Sequence, residues 1–339
     1  MAGMMGIPDF IEDVTKSVID GSSLPNSVLN RQQADRFIDL LVDTSVLLKN
    51  IRRAKKDHAK GELNKLDLGT IVTEGANATS QARTSTPTER VTTYDMVKYR
   101  SAFDLRTDFL EDNLERGAVR DKILGMFTKA MAIDAEVASI EGNDDLPTGD
   151  GQTAENNLLG VNDGFQKILL ANVPAAQIID CDGAAPSMQL YYDMKRRIPA
   201  RYRIAKPSYR WIAPSGPADK VALDWANRIT TGGDSVLRSG EAPGPWGIPM
   251  LEVPLFPENL SFTDSDDDAH TDGSFIWLTP YENLIWFIQR EITIEFDRKP
   301  RQDLWESTIH WRCDFEVENE DLVVIAKNVS MSGADYTSP

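Results

Sequence analysis

The sequence predicts an α+β fold. One long helix and a long antiparallel ribbon, distant in the chain, pack together beside a separate α/β domain. Three observations carry this reading. First, residues 290–329, REITIEFDRKPRQDLWESTIHWRCDFEVENEDLVVIAKNV, alternate apolar and polar side chains like two strands joined by a basic turn. Second, Ile123, Met126, Ala130, Ile133, Val137 and Ile140 recur at spacings of three and four, the period of a helix burying one face. Third, between Val72 and Val91 there is almost no large apolar residue, so this stretch cannot build a core of its own.

In chain order, residues 1–56 read as an N-terminal arm, with a short amphipathic segment broken by DGSSLPNS and a helical pattern through Ala34, Phe37, Ile38, Leu41 and Val42. Its end, KNIRRAKKDHAK, holds Lys49, Arg52, Arg53, Lys55, Lys56 and Lys60. Without interleaved base-reading residues this is expected to be a solvated or inter-subunit charged segment. Residues 57–102 read as a long two-stranded loop projecting from the body. Residues 103–172 hold the long helix, with Thr107 or Asp108 as its expected cap and Gly142 as its stop, followed by the polar loop NDDLPTGDGQTAENN.

Residues 173–290 have mixed texture: QLYYDMKRRI and GPADKVALDWANRIT are helical, YRWIAP is a short strand, and the proline-interrupted GIPMLEVPLF reads as an edge strand. FIWLTPYENLIWFIQ returns as strand. Residues 291–329 are the long strands and 330–339 a tail. The second long strand puts Ile309, Trp311, Cys313, Phe315 and Val317 on an apolar face and Thr308, His310, Arg312, Asp314, Glu316 and Glu318 on a polar one. The apolar face is expected to cover the long helix, and the polar face to stay open to neighbours.

The formal charge is −17, from 36 Lys and Arg against 53 Asp and Glu. That opposes general adhesion to nucleic acid or anionic membrane while leaving room for a local basic patch. Cys181 and Cys313 are expected as reduced, buried thiols. No apolar run suits a membrane span, and the first residues do not read as a secretion signal.

The chain carries no GxxxxGK[ST], GxSxG, HExxH or paired CxxC motif, and His58, His270 and His310 stand in unrelated contexts. Asp264, Asp266 and Asp268 have the spacing of a calcium loop, but Ala269 and Phe275 occupy the positions that need Gly and Glu. The expectation is a solvated turn. No catalytic, cofactor or metal residue is predicted, and the chain is read as not an enzyme.

The order arm, coreless loop, long helix, α/β domain and long C-terminal ribbon resembles a tailed-bacteriophage major capsid protein of the Hong Kong 97 type, over roughly residues 30–330. The carrying segments are LVDTSVLLKNIRRAKK, LGTIVTEG with VTTYDMVKYR, ERGAVRDKILGMFTKAMAIDAEVASIEGN, and REITIEFDRKPRQDLWESTIHWRCDFEV. The resemblance implies an E-loop at 57–102, a spine helix in a peripheral (P) domain, an axial (A) domain, and a P-domain ribbon.

It further implies self-assembly of pentamers and hexamers into an icosahedral virion shell, built in the bacterial cytoplasm. The shell would enclose double-stranded DNA without sequence-specific binding. A separate scaffolding protein, a portal protein and a decoration protein are implied partners; no membrane is. Arg298, Lys299 and Arg301 would lie near a three-fold junction, with Arg83, Arg90, Arg52 and Arg53 as further inter-subunit contacts. The alternative of the same fold is an encapsulin-type cellular compartment.

Overall fold

A computed structural model describes residues 26–28, 45–67, 88–106, 118–227, 243–289, 293–299 and 301–338. Two six-stranded sheets organise them. The first is built on β13 (Leu304–Val317), with β12 (Thr293–Lys299) and then β11 (Leu284–Gln289) along one edge and β5 (Val97–Arg106) along the other. β1 (Asn26–Val28) extends it beyond β12, and β2 (Arg52–Lys56) runs parallel to β11. The second sheet has the order β6 (Ile178–Asp180), β14 (Val324–Ser330), β10 (Ala269–Pro280), β7 (Tyr209–Ala213), β8 (Met250–Glu252), with β9 (Leu260–Thr263) also on β10. β8 is an edge, as its flanking prolines require.

The chain crosses between the sheets twice. β10 passes into β11 through the turn Tyr281–Asn283, and β13 into β14 through the turn Glu320–Leu322. The two crossings are tied together: Asn283 donates from its side chain to the Asn319 carbonyl and accepts the Asn319 N–H, both at 2.9 Å. Sheet membership therefore departs from the boundaries drawn on the sequence. β11 precedes residue 290 yet joins the sheet of β12 and β13, and β14 (Val324–Ser330), counted with the long strands, joins the other sheet. β2 and β5 also join the P-domain sheet instead of ending the arm and the loop. FIWLTPYENLIWFIQ, which reads as one strand, is two strands in two sheets. Apolar continuity hid the change because both strands are buried on both faces.

The ribbon's apolar face behaves as its alternation demands: Ile309, Trp311, Cys313, Phe315 and Val317 are all buried. Tyr99 stacks on Trp311 at 4.9 Å, and Phe165 meets Phe315 edge-on at 5.6 Å. The long helix, here α2 (Ala118–Glu141), follows α1 (Leu47–Asn50) and packs over this face, with Phe127 against Phe103 of β5.

Its phase differs from the sequence expectation. Thr128, Met131, Ala132, Ala135, Glu136, Ala138, Ser139 and Ile140 face inward. Met126 is 71% exposed, Ile133 is 46% exposed, and Ala130 also faces solvent. Alanines make up much of the inward face beside Met131 and Ile140, while Met126 and Ile133 sit outside. The side chain of Ile123 and the proposed caps Thr107 and Asp108 lie outside the described residues, as do residues 29–44 of the arm.

Gly142 does end the helix, but by close approach. It stands against Gly164, whose N–H donates to the Gly142 carbonyl at 2.8 Å, and a Cβ on Gly142 would lie 2.4 Å from the Asn162 carbonyl. Part of the polar loop is helical. Thr153 accepts the Asn156 N–H and caps α3 (Ala154–Leu159), and α4 (Phe165–Asn172) follows. The A-domain adds α5 (Met188–Arg197) and α6 (Ser215–Ala226) around a second core that includes Tyr191, Trp211, Ile276 and Val324. Both cysteines are free and buried.

Candidate assembly surfaces

The loop expected to project has a defined root. β3 (Lys60–Asp67) and β4 (Thr88–Asp95) pair along their full length as a separate two-stranded sheet. This hairpin rests on the outer face of the P-domain sheet, where Tyr94 stacks on Phe287 at 4.5 Å and joins Met96 and Ile285 in a small third core. Residues 68–87 lie outside the description.

The polar face of β13 is consequently not open along its length. Asp314 is buried and accepts the Asp95 N–H at 2.7 Å, the Asn162 side-chain amide at 2.8 Å and the Phe315 N–H at 2.8 Å. Burial raises its pKa against the pull of those three donors. Two residues on, burial and then the Asp314 charge push Glu316 up to about 8. Glu318 binds Arg52 at 3.4 Å and Lys65 at 3.1 Å, and Glu320 binds Arg90 at 3.1 Å. Asp314, Glu318 and Glu320 thus hold the root of the loop through carboxylates. Strand alternation carries Asp314 onto this face and Glu320 stands in the turn that follows, while the partner hairpin is distant in sequence. A groove of about 710 Å³ opens beside them, lined by residues that include Lys60, Glu62, Asn162 and Lys167.

A second buried acid fixes the N-terminal segment. Glu136, 1% exposed, accepts the N–H groups of Val46 and Leu47 at 2.8 and 2.7 Å, at the start of α1. Burial raises its pKa while those two donors lower it. The spacing pattern of the helix gives no sign of this glutamate on its buried side.

The expected contact residues are dispersed. Arg298 pairs through its backbone with Trp305, Lys299 bonds Glu306, and Arg301 is exposed in the turn between β12 and β13. Arg52 and Arg53 are exposed on the edge strand β2, where a row of cations blunts edge-to-edge pairing. Arg52 and Arg90 also serve the loop root within their own chain. Arg83 lies outside the described residues.

The acidic turn explains its own spacing. Asp264 accepts the Asp266 and Asp268 N–H groups at 3.0 and 2.8 Å and bonds His270 at 2.9 Å, so it caps its own turn. The His270 bond and the two N–H donors hold the Asp264 carboxyl below its ordinary range. Among the described residues no group of three His, Cys, Asp or Glu is placed to hold a metal, and no helix is long and apolar enough to cross a membrane.

No family model matches the sequence. The "Putative prophage capsid protein YqbE" of Bacillus subtilis (strain 168) is 24% identical over 324 residues, 92% of this chain and 96% of that protein. Among solved structures, the satellite phage P4 procapsid including size determination (Sid) protein superposes with a TM-score of 0.66 at 15% identity, covering 98% of this chain and all of the other. The capsid of the native GTA particle gives 0.56 at 14% identity over 85% of this chain and 91% of the other. The holo-SrpI encapsulin complex of Synechococcus elongatus PCC 7942 gives 0.52 at 11% identity over 99% and 100%. The two sheets, the spine helix and the loop root are the Hong Kong 97-type architecture. By fold the chain has this architecture, and by sequence it is similar to a prophage capsid protein.

Proposed function

We propose that the chain self-assembles into an icosahedral shell that encloses the double-stranded DNA of a tailed phage, and that it catalyses no reaction. One observation supports the assembly reading most directly. The loop root is anchored to its own subunit, while the spine helix turns Met126 and Ile133 away from its own core. A groove of about 1090 Å³ runs beside that helix, lined by residues that include Arg100, Phe127, Asp134 and His310. Apolar side chains at helical spacing beside a groove suit burial by another copy. Repeated heterologous contacts of that kind close by symmetry and gain strength by number.

In this reading Arg298, Lys299 and Arg301 meet neighbouring copies at the ribbon tip. Arg83 and Arg90 act on the E-loop, and Arg52 and Arg53 on the β2 edge. A separate scaffolding protein sets the curvature, a portal occupies one vertex, and a decoration protein binds the outer face. The first experiment is negative-stain microscopy of the chain expressed with its scaffolding protein. Closed shells are expected. A chain that stays monomeric by light scattering under these conditions would refute the proposal. Charge reversal of Arg298, Lys299 and Arg301 to glutamate should abolish shells and leave the monomer folded.

The encapsulin neighbour favours a second reading, a cellular compartment of the same fold. Nucleic-acid content decides between them: particles from infected cells carry double-stranded DNA in the first reading and protein cargo in the second.

A further inference from the structure

The last turn of α5 carries Lys195, Arg196 and Arg197, where the helix dipole favours cations. A groove of about 440 Å³ opens there, lined by residues that include Tyr192, Lys195, Arg196, Arg203 and Tyr209. Aromatic rings hold two of the cations. Lys195 lies 5.5 Å from the Trp246 ring centre and Arg196 lies 5.7 Å from that of Tyr192, and the two rings are 5.2 Å apart. Arg203 donates to the carbonyls of Ile198 and Arg196 at 2.9 and 2.6 Å, which fix its fork without cancelling its charge.

The groove also holds an unmet hydrogen bond. Tyr209 is fully buried, and its hydroxyl has no partner. Burial pushes that hydroxyl up to about 12, so it keeps its proton. A buried donor without an acceptor, in one groove with guanidinium and ammonium groups, suits a carboxylate.

The acids of the neighbouring elements mostly have partners elsewhere. Glu318 binds Arg52 and Lys65, Glu320 binds Arg90, and Asp193 accepts the Gln189 side-chain amide. Glu282 and Asp321, on the two crossing turns, remain against Lys195, Arg196, Arg197 and Arg203. Among the described residues no carboxylate pairs with Lys195, Arg196 or Arg203. Arg201 and Arg210 are engaged with other groups and add nothing here.

Carboxylates stand free at the other end of the same domain. Tyr209 pairs with Pro280 at one end of β10, and the acidic turn precedes Ala269 at the other. At about 3.3 Å per residue the strand puts them roughly 35 Å apart, so the turn cannot reach the groove of its own chain. Asp266, Asp267 and Asp268 are exposed there. His270 pairs with Asp264, and no Lys or Arg among the described residues pairs with the other three. The bonds to Asp264 and the left-handed backbone of Asp267, φ 66°, hold the turn in one shape.

We propose that the acidic turn of one copy docks in this groove of the next, its carboxylates meeting Lys195, Arg196, Arg203 and the Tyr209 hydroxyl. The two patches differ and cannot meet within one subunit, so the contact is head-to-tail and propagates from copy to copy. A rigid turn and cations already held by rings and carbonyls lose little freedom on docking. Copies of charge −17 repel one another, and this groove is a place where the repulsion gives way. The proposal rests on the self-assembly reading and names one pair of faces that would carry it.

The test scores shells by negative-stain microscopy, with the scaffolding protein present. Lys195→Glu with Arg196→Glu should abolish them, and so should Asp266→Lys with Asp268→Lys. The chain carrying all four substitutions should regain them. Circular dichroism and Tm of each unassembled chain should match wild type. Where a reversed pair fails to fold, Lys195→Gln with Arg196→Gln and Asp266→Asn with Asp268→Asn take its place, and their combination should assemble no worse than either pair. Tyr209→Phe should leave Tm unchanged or raised, because the hydroxyl has no partner within the subunit, yet raise the concentration needed for shells about tenfold.

Shells at wild-type yield from either reversed pair would overturn the proposal. So would loss in both pairs without recovery in the combination, which would give each face a different partner. Tyr209→Phe assembling at the wild-type concentration would remove the carboxylate from the groove. Each of these results leaves the assembly reading intact while wild type forms shells. A wild-type chain that forms none would sink that reading and this contact with it.

Discussion

The carboxylate of Asp314 accepts the backbone N–H of Asp95 at 2.7 Å, so the central P-domain strand holds the loop root through a buried acid. Removing that acid strands three donors, those of Asp95, Asn162 and Phe315. Asp314→Ala should therefore cost about 2–4 kcal/mol of monomer stability. It should also speed trypsin cleavage in the E-loop. Urea unfolding of the unassembled chain measures the first; a loss below about 0.5 kcal/mol would contradict the role given to this residue.

Glu316 should make stability depend on pH. The groups bearing on it are Asp314 on its own strand, Glu320 on the crossing turn and Asp163 before α4, all acids, with burial the larger cause. Its folded pKa is raised, so its favourable contribution is complete below the ordinary glutamate range and is lost as pH rises to about 8. The variant Glu316→Gln should flatten the stability profile between pH 4.5 and 8 and be the more stable protein at pH 8. Thermal melts across that window test this; parallel profiles for the two proteins would rule it out.

Glu136→Ala leaves the Val46 and Leu47 N–H groups without their acceptor. A loss of about 1–3 kcal/mol is expected. Hydrogen exchange should show faster opening of residues 45–51, while the A-domain sheet keeps its protection. Uniform acceleration across both sheets would mean the acid supports the whole fold and not this attachment.

Met126→Glu with Ile133→Glu should change monomer stability by no more than about 0.5 kcal/mol, because both positions face solvent in the single chain. Shells should not form. Wild-type yields of particles from this variant would remove the spine helix from the assembly surfaces.

The ribbon was legible because alternation is a local signal: Ile309 to Val317 are buried as their spacing requires. The edge position of β8 was legible for the same reason. The helix was recognisable as a helix, but its inward face was not. Hydrophobic periodicity assumes that large apolar residues point inward, and here Ala132, Ala135 and Ala138 do so. The crossings were invisible because residues 275–280 and 284–289 are buried on both faces in either sheet. The loop root was missed because Asp314 and Glu318 read as an open polar face until the distant Asp95 and Lys65 are laid beside them.

The paired crossings at Tyr281–Asn283 and Glu320–Leu322 also determine how a subunit carries load. In the proposed shell, any pull that drew the two sheets of a subunit apart would act on these crossings. Here that pull runs along two covalent strands that are laced together by the Asn283–Asn319 bonds. The junction between domains is thus a seam in tension with the backbone as its thread.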